Sequence, residues 1–250
     1  MKHPYGLVSI SFREKSPEEL VAAMTRCGLT HIEWGSDVHA PAADEGRLRE
    51  LAALCRRNGI TVSSYGTYFR IGENRPQELV PYIRAAGLLG TRILRLWCGT
   101  KGYARYSADE LAVLFADCRE IAALAEENGV TVCMECHNNT VTDCLEGAAA
   151  LMQAVDSGHF RMYWQPNQYR TAEENRRYAA YIAPYTEILH VFHWLGDERF
   201  PLAEGAADWQ AYLRCFPAGI PLLLEFMPDD RLETLERETR TLREIAERTE

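Results

Sequence analysis

The sequence has no run approaching the roughly 18–20 consecutive apolar residues needed to cross a bilayer. Its opening, MKHPYGLVSISFREK, contains neither an apolar stretch of signal-peptide length nor a small-residue cleavage site. A membrane protein is therefore not expected, and a cytoplasmic location is. Positive charge is also scarce: 27 Lys and Arg face 36 Asp and Glu, for a net charge of −9. Proteins that grip a nucleic acid backbone are usually basic on at least one face, so DNA and RNA are not the expected partners. No G-x-G-x-x-G or G-x-x-x-x-G-K-[ST] follows a strand-like segment, which leaves nucleotide-binding folds without their main support. Low-complexity segments and linkers are absent as well, so residues 1–250 read as one domain.

Cysteine is not scarce. Eight are present, at 27, 55, 98, 118, 133, 136, 144 and 215. Without an export signal they are expected to be reduced and to serve as small apolar residues. Cys133-Met134-Glu135-Cys136-His137 formally matches the haem-attachment pattern C-x-x-C-H. A strand alternates its faces, however, so Cys133 shares a face with Glu135 and Cys136 with Met134. Thiols on opposite faces cannot clasp one haem or one zinc, and two packed strand cysteines are expected instead.

The positive signal is a repeat. Glycines at 28, 59, 90, 129, 158 and 219 lie 31, 31, 39, 29 and 61 residues apart. Each ends a helical pattern, and after all but Gly158 a strand follows at once, as in GLTHIEW, GVTVCMEC and GIPLLLEF. Helix starts are marked too. Ser16-Pro17-Glu18-Glu19 and Ser107-Ala108-Asp109-Glu110 are capping boxes, Thr171 caps a later helix, and Asp208 is expected to cap a short one. Strands are expected at 7–11, 31–34, 61–66, 92–97, 130–135, 161–165, 188–194 and 221–226. The charged C-terminus carries Leu232, Leu235, Leu242 and Ile245 at near-helical spacing, an outer amphipathic helix. Eight strand–helix units in a chain of this length, with right-handed crossovers, predict a (β/α)8 TIM barrel of the α/β class.

In such a barrel the chemistry sits at the C-terminal ends of the strands. VTVCMECHNN (130–139) is a core strand that ends in Glu135, with His137, Asn138 and Asn139 directly behind it. PLLLEF ends in Glu225, RMYWQ in Gln165, and ILHVFHW in His193. Glu135, Glu225 and His193 are expected to converge on one divalent cation, because an unpaired buried carboxylate is very costly. His190, three residues before His193 and on the opposite face, reads as an ordinary hydrogen-bonded histidine. Two carboxylates and an imidazole make a hard site suited to Mn²⁺, Mg²⁺ or Co²⁺, with Zn²⁺ also open.

The motifs IEWGSDVHAP, MECHNNT, HVFHW with PLAEGAADW, and LLLEF, in this order, resemble the xylose-isomerase-like TIM-barrel superfamily. That group contains sugar isomerases and epimerases and endonuclease IV. The resemblance implies metal ligands at Glu135, Gln165, His193 and Glu225, with Mn²⁺ the first expectation. It implies that Glu135 and Glu225 shuttle the proton and that Arg199 helps position Glu135 or the substrate. The family's D-x-x-H after the sixth strand is here Gln165-Pro166-Asn167-Gln168, so both family side chains are replaced by amides. A neutral ligand at Gln165 removes one negative charge from the site. Loss of the histidine at Gln168 removes a substrate contact.

The expected activity is isomerisation or epimerisation of a sugar or sugar phosphate through an enediolate. A lyase resembling the inosose dehydratases and a metal-free sugar-binding relative are the alternatives. Further substrate contacts are expected from Glu33, Trp34, His39, Tyr65, Arg70, Trp97, His137, Asn138, Asn167, Gln168 and Arg199, which lie at or just past strand ends. Packing between barrel and helices is the competing role for Trp34 and Trp97. Relatives of this kind are commonly dimers or tetramers, so a homo-oligomer is also expected.

Overall fold

The computed structural model describes residues 3–249. Eight parallel strands close into a barrel in the order β1-β10-β7-β6-β5-β4-β3-β2. They are β1 (Tyr5–Val8), β2 (His31–Gly35), β3 (Thr61–Ile71), β4 (Ile93–Cys98), β5 (Thr131–Glu135), β6 (Phe160–Trp164), β7 (Thr186–Val191) and β10 (Leu222–Leu224). Helices α1 (Pro17–Cys27), α2 (Glu45–Arg57), α3 (Val80–Leu89), α4 (Ala108–Glu127), α5 (Leu145–Val155), α6 (Ala172–Ile182), α7 (Ala206–Leu213) and α8 (Leu235–Glu247) surround it. This is the expected TIM barrel. Among the described residues no helix is long and apolar enough to cross a membrane.

Local chemistry sets the helix starts as anticipated. Ser16, Ser107 and Thr171 each accept from the backbone three residues on, and Glu19, Glu110 and Glu174 reach back to complete the boxes. Each box satisfies two of the backbone donors a helix start leaves open. On α8, Leu235, Leu242 and Ile245 are buried as the spacing predicts, and Leu232 just before it is half-buried.

Alternation along the strands divides the core into two layers. Outward residues such as Leu7, Ile32, Trp34, Met134, Cys136, Trp164 and Leu224 pack against the helices. Inward ones form an apolar plug of Val8, Cys133, Tyr163, Ile188 and Leu223. Cys133 and Cys136 thus lie on opposite faces, and all eight cysteines are free. Two residues beyond each plug position on β5, β6, β7 and β10, the inward position is polar: Glu135, Gln165, His190 and Glu225.

Several boundaries differ from expectation. β1 ends at Val8, and Ser9–Phe12 turn as a 3-10 helix, from which the Ser9 hydroxyl accepts from Gly35 N at 2.9 Å. α7 begins at Ala206, so Asp208 lies in its first turn and no side chain caps it. α5 ends on Asp156, which itself adopts a left-handed φ of 45°. Asp tolerates that conformation better than most residues, and Gly158 is not needed there. Beyond β7 the chain forms a small antiparallel hairpin, β8 (Trp194–Leu195) with β9 (Glu198–Arg199), which the pattern of hydrophobic residues did not reveal. The consequential difference is β7 itself, which ends at Val191, before His193.

Candidate active site

At the C-terminal end of the barrel the ligand atoms of Glu135, His190 and Glu225 all lie within 4.8 Å of one another. Each glutamate places an oxygen 3.5 Å from His190 Nδ1. Gln165 Oε1 is closer still, at 3.2 Å. The four side chains come from β5, the residue after β6, β7 and the residue after β10. Register sets their convergence: β10 and β7 pair Leu223 with His190, and β5 and β6 pair Glu135 with Tyr163. Three of the four expected ligands, Glu135, Gln165 and Glu225, are therefore brought together.

His193 is not among them. The inward positions of β7 are Ile188 and His190, and strand parity carries the next inward position to Phe192. His193 falls past the strand with the opposite parity. Its ring lies against Phe200, with centroids 6.0 Å apart, and over Gly205, where a Cβ would meet its Nδ1 at 2.4 Å. Burial lowers its pKa, and only Asp208 and Glu204 work against that. Counting inward from the apparent end of the HVFHW motif selects His193, which the structure leaves outside the cluster. Counting by twos through Ile188 selects His190.

The electrostatics centre on a second residue absent from the sequence-based set. Arg95 projects from the middle of β4 into the barrel and is 1% exposed. Its Nη1 sits 2.9 Å from Glu135 Oε2 and its Nε 3.5 Å from Glu33 Oε1. The Trp97 indole N–H donates to the same Glu135 oxygen. Burial opposes the charge on Glu135, but Arg95, then His190 and His137, hold its carboxyl well below the usual carboxylate range. Burial likewise pushes the His190 imidazole down, and Glu225, Glu33 and Glu135 outweigh it and raise the pKa well above the ordinary value. A detectable signal did exist for Arg95. In RILRLW, a charged residue between two leucines of a core strand needs a buried partner.

Glu33, Glu135 and Glu225 are 0%, 3% and 4% exposed. Against these three carboxylates Arg95 supplies one fixed positive charge, which leaves two negative charges surplus. A protonated His190 cancels one of them. One divalent cation with a neutral His190 cancels both, and two carboxylates, an amide oxygen and an imidazole are donors that such a cation accepts. The donor set therefore fits a hard divalent metal.

Above the cluster opens a cavity of about 220 Å³. Of the residues expected to contact substrate, Trp97, His137, Asn138, Asn167 and Gln168 line it. Asn167 Nδ2 donates to Asn138 Oδ1 at 2.8 Å and ties the loops after β5 and β6 together. Arg13, Tyr68, Phe192, Trp194 and Phe226 also line it and were not anticipated. Other expected contacts lie elsewhere. Trp34 and Tyr65 face outward and are fully buried, with the Tyr65 hydroxyl donating to Ala40 O at 2.6 Å. His39 packs on Trp34 at 5.7 Å and bonds Lys15 O. Arg70 donates to Gly99 O and sits over Trp97 outside the cavity lining. Arg199 lies on an adjoining hollow, paired with Asp230. Glu33 lies beneath the cluster, not in the cavity.

The sequence profile describing the xylose isomerase-like TIM barrel matches residues 21–245. The chain belongs to that family. No curated protein matches the sequence. Among solved structures, a probable 3-DHS dehydratase, AsbF, involved in petrobactin synthesis in Bacillus anthracis, is 19% identical with a TM-score of 0.80, over 97% of this chain and 99% of that one. A D-psicose 3-epimerase solved in the presence of D-fructose is 14% identical, TM-score 0.72, over 97% of both chains. A xylose isomerase-like TIM barrel protein from Mycobacterium smegmatis, in complex with magnesium, is 15% identical, TM-score 0.72, over 99% and 98%. At these identities the likeness establishes the fold.

Proposed function

We propose that the chain is a divalent-metal-dependent epimerase or isomerase of a small hydroxycarbonyl sugar, with Glu135 and Glu225 as its proton-transfer pair. The observation that carries this reading is the surplus of two buried negative charges converging on His190 beneath a sugar-sized cavity. Glu135, Glu225 and His190, with the Gln165 oxygen, would hold the cation. When bound, a divalent cation supplies positive charge that offsets the negative charge growing on substrate oxygens during proton removal. Mn²⁺ is the first candidate, ahead of Mg²⁺, Co²⁺ and Zn²⁺.

The protein's own groups divide the remaining work. Arg95 and Trp97 occupy Glu135 Oε2, which leaves Oε1 as the oxygen that can take a proton from the carbon beside the carbonyl. Glu225 approaches from another side of the barrel, at the end of β10, with β6 and β7 lying between it and β5 in the ring. Removal by one carboxylate and return by the other inverts that carbon. Pocket aromatics Trp97, Trp194 and Phe226 offer faces for a sugar ring, and Asn138, Asn167 and Gln168 offer donors and acceptors for hydroxyls.

The cavity is smaller than the roughly 300–1,000 Å³ of drug-sized sites, which suits a monosaccharide. Both arginines lining it are committed. Arg13 bonds Asp37, Tyr68 and Ile10 O, and Arg95 pairs with Glu33 and Glu135. A neutral sugar is therefore placed ahead of a phosphorylated one.

A dehydratase is the second reading, supported by His137. This half-buried imidazole lines the cavity next to Glu135, in reach of a departing hydroxyl that needs a proton. Incubation with Mn²⁺ and a panel of neutral and phosphorylated ketoses in D₂O separates the two. Solvent deuterium on carbon without loss of water indicates epimerisation, and an unsaturated product indicates the lyase. Glu135→Gln and Glu225→Gln should each lower turnover by about 10²–10⁴-fold, the usual contribution of general acid–base catalysis. If both variants keep full turnover, the assignment fails.

A further inference from the structure

The Nε2 atom of His190 points away from the cavity, into the barrel. It is completely buried and makes no hydrogen bond in the conventional geometry. Its facing group is the Glu33 carboxylate, with Oε2 at 3.5 Å. Glu33 is itself fully buried and firmly held: Ser64 Oγ donates to Oε2 at 2.9 Å, and Arg95 pairs with Oε1. Gly66 leaves room for this arrangement, since a Cβ there would lie 2.4 Å from Glu33 Oε1 and 3.0 Å from Arg95 Nη2.

We infer that Glu33 is a positioning residue that keeps a proton on His190 Nε2 and thereby presents Nδ1 to the Glu135–Glu225 cluster. A buried N–H with no acceptor costs on the order of 1–3 kcal/mol, and Glu33 is the acceptor in front of it. With Nε2 carrying the proton, only Nδ1 can offer a lone pair, and Nδ1 is the atom that faces Glu135, Glu225 and Gln165. Histidines that bind metals generally show this arrangement, the second nitrogen donating to a carboxylate that fixes tautomer and ring orientation. Glu33 acts on Glu135 as well. It shares Arg95 with it, so one carboxylate braces two of the four converging side chains from below.

This inference rests on the proposed metal site, and its test separates the two. In protein with ¹⁵N-labelled histidine, the Nε2 proton of His190 should appear as a downfield, slowly exchanging signal, both without metal and with Mg²⁺. The signal is assigned by its loss in His190→Gln. Glu33→Gln should move it upfield and weaken Mn²⁺ binding, measured by competition with a chelator, about 10–100-fold. A wild-type His190 that carries its proton on Nδ1 alone overturns the inference. So does a Glu33→Gln protein that binds Mn²⁺ within twofold of wild type. If Glu33→Gln does not fold, the wild-type signal decides. If wild type binds no Mn²⁺, the functional reading falls, and the Nε2 signal still tests the role of Glu33.

Discussion

Replacing Arg95 with Met tests the charge balance of the barrel interior directly. Met matches much of the arginine's length and removes its charge. Two carboxylates lose their counter-ion at once: Glu135, whose oxygen is 2.9 Å from Nη1, and Glu33, 3.5 Å from Nε. Neither is abandoned by every partner, since Trp97 still donates to Glu135 and Ser64 to Glu33. Breaking a buried pair by removing one member costs about 3–5 kcal/mol, because a buried charge is left uncompensated. For a chain of this size each kcal/mol moves the midpoint of thermal unfolding by about 2–4 °C, so a fall of roughly 6–20 °C is expected. Urea unfolding followed by circular dichroism gives the free energy. Adding Glu33→Met to Arg95→Met should recover part of the loss, with a coupling of about 0.5–3 kcal/mol. A cation at 100 times its dissociation constant should stabilise wild type by about 2.7 kcal/mol. An Arg95→Met protein within 1 kcal/mol of wild type would refute the view that the interior charges are balanced this way.

Two other outcomes follow from the same geometry. His190→Gln should abolish measurable Mn²⁺ binding in a chelator competition, and His193→Gln should leave it within about twofold, since only His190 is in reach of the carboxylates; the reverse pattern would restore the ligand set expected from the sequence. Acid should destabilise the protein through Glu33 and Glu135. Both titrate below their ordinary value of 4.5 in the folded chain, so the unfolded chain takes up protons first as pH falls. Their contribution is complete above that value and is lost as pH drops through the folded pKa values. His190 is the main group holding Glu33 down, ahead of Arg95, and Arg95 is the main one for Glu135. The urea midpoint should therefore fall between pH 5 and pH 3, less steeply in Arg95→Met, and an equal slope in both proteins would count against Arg95 as the cause for Glu135.

The barrel was legible in the sequence because its determinants are local. Helix starts are written in Ser16, Ser107 and Thr171, whose capping needs only residues three positions away. Strand–helix alternation is written in the recurring apolar runs, and a ring of such units closes in few ways. Glu135, Gln165 and Glu225 were legible for the same reason. Each ends an apolar run, and a strand's last inward residue opens at the barrel mouth. Which histidine joins them follows from strand parity only once the structure fixes Ile188 as inward and Val191 as the end of β7. His190 and His193 are chemically identical, and the choice depends on where β7 stops pairing with β6 and β10, a non-local hydrogen-bonding outcome. Tertiary structure also decided that Tyr65 and Trp34 serve the helix layer, since being near a strand end says nothing of which face a side chain takes. Closure of the ring brings Glu33 of β2 and Arg95 of β4 beneath His190 of β7. Residues so distant along the chain meet there only because the barrel interior is narrow enough for one layer of side chains to span it.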